Sequence, residues 1–365
     1  MKNILGDVVT LTLFGESHQS MIGATLDGMA PGIKVNGEFI KEQLSKRRPQ
    51  SKIETSRVEL DDYKIISGVF NGYTTGEPIT IIIENNNIRS KDYSKTKDLI
   101  RPSHADYTTY VKSNGYNDYR GGGHTSGRIT APIVAIGAIL IEALKEKGIY
   151  IGTHIKKCGN VEDRSFNDLT NDINYLSKTD FPVLNDIKDE ITNEIVLCAE
   201  KQDSIGGILE TAVIGLPVGL GEPWFSGVES KISSAVFGIG AVKGIEFGEG
   251  FNFANLTGST ANDQFYLNEN KEIMTSTNHN GGINGGITNG MPVLFKTVVK
   301  PTPSISKTQN SINLQTLTEE KLEIVGRHDP AIIRRMAVVI DSVTAIVISD
   351  LLAIRYGNNF FNWSK

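Results

Sequence analysis

Histidine, arginine and glycine crowd one stretch of this chain. Between Ile100 and Pro132 stand His104 and His124, then Arg101, Arg120 and Arg128, and an unbroken Gly121-Gly122-Gly123, just ahead of a long apolar run. Imidazoles move protons near neutral pH. Guanidiniums hold phosphate and carboxylate groups through paired, charge-assisted hydrogen bonds. Bare glycine amides at a helix start suit an anion. Parts of this chemistry recur in Gly15-Glu16-Ser17-His18, Lys46-Arg47-Arg48, Lys300-Pro301-Thr302-Pro303-Ser304 and Arg327-His328-Asp329-Pro330. Together these residues fit a site where a phosphate leaves a small polyanion beside an imidazolium. No metal-ligand spacing, P-loop, nucleophile elbow or HExxH accompanies them. Gly238 to Gly244 looks like a dinucleotide fingerprint, but a helix rather than a strand is expected just before it, so that signal is poor.

The rest of the composition narrows the setting. With 37 Lys and Arg against 42 Asp and Glu, the net charge is −5, and the basic residues come in short islands. That pattern excludes phosphate-tracking nucleic-acid binding and suits a small anion. Cys158 and Cys198 are too few for a disulfide framework or a zinc ribbon. The N-terminus does not read as a secretory signal, and no apolar run reads as long enough to span a bilayer, so a cytoplasmic location without membrane contact is expected.

Something must position those loops. Val8 to Phe14 and Ile22 to Leu26 read as paired strands around the turn that carries His18. Asn36 reads as the N-cap of a helix ending at Lys46-Arg47-Arg48. Thr130 to Lys147 reads as an apolar helix stopped by Gly148, and Asp329-Pro330 as the N-cap and first residue of another. Residues 155–200 read as a peripheral insertion with short helices. The glycine pairs of Gly281-Gly282-Ile283-Asn284-Gly285-Gly286 would let a flat ligand lie on bare backbone. Thr288-x-Gly290-x-Pro292 repeats Thr74-x-Gly76-x-Pro78, each ahead of an apolar strand. The expectation is therefore one domain over 1–365, an α+β sandwich of two related halves at about 1–150 and 200–360.

The motifs, taken together and in order, resemble the chorismate synthase family over nearly the whole chain. They are FGESH at 14–18, RRP at 47–49, SGVF at 67–70, RP-x-HADYT at 101–108, DYRGGG at 118–123, S-G-R-x-T at 126–130, GLGEP at 219–223, AVKG-x-E at 241–246, NH-x-GGI-x-GGI at 278–287, KPT at 300–302 and GRHDP at 326–330. The resemblance implies a β-α-β sandwich, a homotetramer, and a lyase of the shikimate pathway of aromatic amino acid biosynthesis. That lyase turns 5-enolpyruvylshikimate 3-phosphate into chorismate and phosphate by 1,4-anti elimination, with reduced FMN and no net redox change. His18 would then protonate the departing phosphate. His104 would balance charge on the reduced flavin, and Asp329 would help the flavin take the substrate proton. Flavin contacts would fall on His124, Thr125, Ser126, Gly240, Ala241, Gly285, Lys300, Pro301, Thr302, Pro303, Ser304 and Arg327. Arg47 and Arg48 would meet the phosphate of substrate or of NADP, with Arg101 and Arg128 as further anion contacts. No metal is implied. NADPH would be the external source of reductant, through a separate flavin reductase, since no additional domain is evident.

The chain departs from the family pattern at Gln19, Asn87, His124, Ile129 and Gly240. Members commonly carry arginine where His124 stands, so flavin binding is expected to weaken above the ordinary imidazole pKa. The competing reading is another flavin- or nicotinamide-dependent oxidoreductase acting on a small phosphorylated carboxylate. Net consumption of reducing equivalents would distinguish it.

Overall fold

The computed structural model describes residues 2–50, 54, 60–86, 97–324 and 329–362, so Asn87, Arg327 and His328 lie outside the described residues. Alternation builds the strands. In β5 (Ile79–Glu84) every second residue is buried, and Ile79, Ile81 and Ile83 face the core with no exposed surface. It lies in an antiparallel sheet with β1 (Ile4–Leu5), β2 (Thr10–Gly15), β3 (Met21–Asp27) and β4 (Tyr63–Ser67), in the order β1-β2-β3-β5-β4. A second antiparallel sheet joins β6 (Tyr150–Cys158), β7 (Val161–Glu162), β8 (Gly207–Ile214), β9 (Val242–Phe247) and β10 (Val293–Val299) in the order β7-β6-β8-β10-β9. The four longer strands follow the same order in both sheets, but the short edge strand precedes its neighbour in the chain in the first sheet and follows it in the second.

Helices fill the space between the sheets. α1 (Gly37–Arg47) starts at Asn36, whose side chain caps the amides of Glu38 and Phe39. The connection from β5 then passes α2 (Asp106–Lys112) and reaches the buried α3 (Thr130–Glu146). α4 (Leu169–Lys178) and α5 (Lys188–Glu200) lie between β7 and β8, and α6 (Val228–Phe237) between β8 and β9. After β10 the chain ends in α7 (Ile333–Tyr356) and a short turn of 3₁₀ helix. α3 packs on β3, β5 and β6, while α7 packs on β2, β6 and β8. The two helices touch where Gly137 leaves room for Ser342: a Cβ on that glycine would fall 2.3 Å from the serine Cβ. The result is sheet, helices, sheet, an α+β sandwich.

Three expectations are corrected here. Gly127–Glu146 and Ile333–Tyr356 are long and apolar enough to cross a bilayer, contrary to the reading of the sequence. They are instead core helices, with 83% and 89% of their most apolar windows buried. Residues 155–158 are not peripheral: they complete β6, whose polar residues find partners across the sheet and so blur its apolar alternation. Asp329 is not a helix cap, because α7 begins at Ile333, after Ile332.

Candidate active site

Equivalent ends of the two sheets face one place. In the first sheet these are the end of β2 at Gly15, the start of β3 at Met21 and the end of β5 at Glu84. In the second they are Cys158, Gly207, Val242 and Val299. α3 and α7 both begin at this end, at Thr130 and Ile333, so two buried helix N-termini bring their positive dipole ends there. Loops at this end carry nearly every residue singled out from the sequence.

The triple glycine is the pivot. Gly121, Gly122 and Gly123 have φ of 60°, 92° and 54°, a left-handed path that side chains resist. At Gly121 space also excludes a side chain, while at Gly122 a Cβ would meet only ordinary contact. A Cβ on Gly121 would stand 2.2 Å from the His18 ring, and one on Gly122 would stand 3.4 Å from the His104 ring. One turn of bare backbone thus seats both imidazoles. His18 is buried, with Nδ1 3.1 Å from Ser17 Oγ, and the Ser17 amide donates to Gly123 O at 3.2 Å. His104 Nδ1 lies 2.7 Å from Asp106 Oδ1, and Arg101 forks onto both oxygens of that carboxylate at 2.7 Å each. Burial alone would raise the Asp106 carboxyl. Its bonds to Arg101 and His104 prevail and hold it far below the usual carboxylate range.

The second-sheet loops close on this turn. Gly240 comes within 4.0 Å, at its missing Cβ, of Thr125 O. The Lys300 amide donates to Ala241 O at 2.9 Å, and Lys300 Nζ reaches Ser103 O, next to His104, at 2.6 Å. Thr302 Oγ1 donates to Asp329 O at 2.7 Å. Asp329 pairs with Arg335 through Oδ2, while its Oδ1 is buried without a hydrogen-bond partner among the described residues. His124 Nδ1, 2.7 Å from Gly15 O, is the proton-bearing nitrogen of that ring. Thr125 Oγ1 bonds Gly122 O at 2.8 Å, and Ser126 Oγ caps the Arg128 amide at 3.3 Å. His18, His104, 124–126, 240–241, 300–302 and Asp329 therefore form one contiguous cluster.

The arginines come already partnered. Asp61 bridges Arg47, at 3.1 Å, and Arg128, which also donates to Asn85 Oδ1 at 3.1 Å and Glu84 O at 3.2 Å. Arg48 donates to Leu60 O at 3.0 Å. Asp61 and Asn85 were missed by sequence reasoning, since each matters through arginine partners distant in sequence, whereas Asp106 and Arg335 were given no role although Arg101, His104 and Asp329 stand within six residues of them. Burial pushes the Arg335 guanidinium down to about 10, against the pull of Glu54.

Gly285 does not join the cluster. It sits in the hairpin before β10, at the end of that strand opposite Lys300, about 20 Å away by strand rise. Nor do Gly281 and Gly282 offer a surface to a flat ligand. A Cβ on either would strike the backbone of Gly248 or Pro292 within 2.5 Å, so these glycines serve chain packing.

Fold and cluster suit an enzyme: two imidazoles beside bare backbone, near two helix N-termini and several arginines. A chorismate synthase profile matches residues 9–353. Chorismate synthases of Dehalococcoides mccartyi and Methanobrevibacter smithii are 43% and 44% identical, covering 98% and 96% of this chain and equal shares of their own. That of Pyrococcus abyssi is 41% identical over 96% of this chain and 97% of its own. A crystal structure of a chorismate synthase superposes with a TM-score of 0.76 at 28% identity, covering 96% of this chain and 94% of that one. The chain belongs to the chorismate synthase family, and as such it is a carbon–oxygen lyase acting on a phosphate-bearing substrate.

Proposed function

We propose that this chain, as a single unit of two related halves, catalyses the 1,4-anti elimination of phosphate from 5-enolpyruvylshikimate 3-phosphate to give chorismate, with reduced FMN bound in the cluster. The observation that carries this reading is the glycine turn that seats His18 and His104 side by side. His18 donates the proton that lets phosphate depart. Its burial removes competing water, and Ser17 fixes the ring. His104 is held against Asp106, where a proton on its ring balances negative charge on the cofactor.

The residues present fit a flavin. His124 to Ser126, Gly240-Ala241 and Lys300 to Ser304 surround bare backbone, with nothing nearer than 4.0 Å to the missing Cβ of Gly240. The buried Oδ1 of Asp329, without a hydrogen-bond partner among the described residues, leaves an acceptor to receive a proton on that side. Reduced FMN, when bound, supplies the electron density that weakens the allylic C–O bond and recovers it afterwards. Arg47, Arg48, Arg101 and Arg128 frame the anionic groups, with Asp61 and Asp106 orienting three of the four guanidiniums. Arg327 belongs to the same reading as a flavin contact.

Reduced flavin comes from an NADPH-dependent reductase outside this chain, in the cytoplasm. Assembly as a homotetramer is part of the reading; Trp224, Phe225 and Phe251, all more than four-fifths exposed, offer apolar surface for a second copy. The test is anaerobic turnover with chemically reduced FMN, following chorismate absorbance, phosphate and flavin oxidation together. Equal release of both products without flavin oxidation is expected. Stoichiometric flavin oxidation would replace the lyase with an oxidoreductase.

A further inference from the structure

A cavity of about 530 Å³ lies between the helix layer and the edge of β6, roofed by α4. None of the histidines or glycines of the active site lines it. Its walls are apolar where Ile141, Ile151, Ile173 and Val338 meet, and Lys145 and Asp341 enter it from α3 and α7. The other cations at its rim are engaged. Arg334 is forked onto Glu54 at 2.8 and 2.9 Å, and Lys46 donates to Ser177 O at 2.6 Å with Glu42 at 3.4 Å. Lys145 differs. Its ammonium lies 4.6 Å over the Phe39 ring, and among the described residues no carboxylate pairs with it at ion-pair distance. Neighbouring Glu142 is taken by the Asn36 amide at 3.0 Å.

We infer that this cavity is a second ligand site, one that takes a small apolar carboxylate, its body among the isoleucines and its carboxylate on the Lys145 ammonium. Pockets of this size with apolar walls and a few convergent polar groups are the usual form of small-molecule sites. Asp341 completes the polar end. Its Oδ1 accepts the Thr153 hydroxyl at 2.6 Å, and burial raises its carboxyl to about 7, so near neutrality it can donate a hydrogen bond to the second ligand oxygen. An amine would meet two lysines there and gain no such donor.

The probe is 3-phenylpropionate, titrated calorimetrically into the intact protein beside its amide and 2-phenylethylamine. The carboxylate is expected to bind at least tenfold more tightly than either. Lys145→Met, which keeps the stem over Phe39, should weaken the carboxylate at least tenfold and leave the amide unchanged, with the same circular dichroism and unfolding temperature. Equal binding of acid and amide would overturn the proposal. So would carboxylate binding that survives Lys145→Met, or no saturation by about 10 mM.

Discussion

Thr74 Oγ1 donates to Ala30 O at 2.7 Å and accepts the Ile33 amide at 2.9 Å; Thr288 Oγ1 donates to Pro217 O at 2.7 Å and accepts the Leu220 amide at 2.9 Å. Both threonines are buried, and both anchor the turn that follows the second long strand of their sheet. Gly28 and Gly215 match as closely, with φ of 82° and 83° and a missing Cβ that would fall 2.0 Å from a carbonyl oxygen in each. Yet after β2 the first-sheet half places Glu16-Ser17-His18, whereas after β6 the second enters the segment that carries α4 and α5. The turns match across the two sheets, and the segments that follow their first long strands do not. Among the described residues of the cluster, the imidazoles of His18 and His104 stand with the first sheet, and Ala241, Lys300, Thr302 and Asp329 come from segments near the second.

The largest break in that comparison should come from the turn that only the first half has. Gly121→Ala puts a methyl group into the His18 ring at a left-handed φ, so kcat should fall about a hundredfold, the scale of a misplaced acid catalyst. Gly127→Ala is its control: nothing lies within 4 Å of its missing Cβ, and activity should stay within about twofold of wild type. A Gly121→Ala enzyme as fast as wild type would remove the turn from the mechanism.

Scaffold equivalence makes a second, smaller prediction. Thr74→Val and Thr288→Val each leave a buried amide and a buried or partly buried carbonyl without their hydroxyl partner, so each should cost about 1–3 kcal/mol of stability with kcat unchanged. Denaturant unfolding of the two variants should give losses within about 0.5 kcal/mol of each other. Unequal losses would mean that the correspondence is one of shape and not of energetics.

The two partly buried carboxyls sharpen the contrast through pH, with the smallest effect. Asp106 is held below its unfolded value near 3.9, so its contribution is present above that pH and is lost as acid is added. Asp341 is raised to about 7, so its contribution is complete below about 3.9 and is lost as pH rises through 7. Asp341→Asn should therefore raise the unfolding temperature at pH 8 by about 2 °C and change it little at pH 4. Thermal scans at the two pH values decide it, and an equal shift at both would deny that Asp341 is neutral in the fold.

Much of this was legible in the sequence because it is local. Asn36 capping, the α3 run and the His18 turn each declare themselves within a short stretch, and the Thr74 and Thr288 motifs are each five residues long and alike in sequence. What escaped depends on distant partners. Asp61 gains meaning only when Arg47 and Arg128 meet it, and β6 hides its strand character because His154 and Glu210, paired at 2.9 Å, occupy a face that would otherwise be apolar. Gly281 and Gly282 misled for a similar reason. A glycine cleared for a ligand and one cleared for another strand look alike until the neighbour is known.

The central claim is that one glycine turn holds two imidazoles with separate tasks, and one anaerobic rapid-mixing experiment tests it. Reduced-flavin affinity and single-turnover phosphate release would be measured on the same samples of His18→Gln and His104→Gln. His18→Gln should bind reduced FMN normally and release phosphate at least a hundredfold more slowly, while His104→Gln should lose reduced-flavin affinity. Phosphate release at the wild-type rate in His18→Gln, or unchanged flavin affinity in His104→Gln, would contradict it.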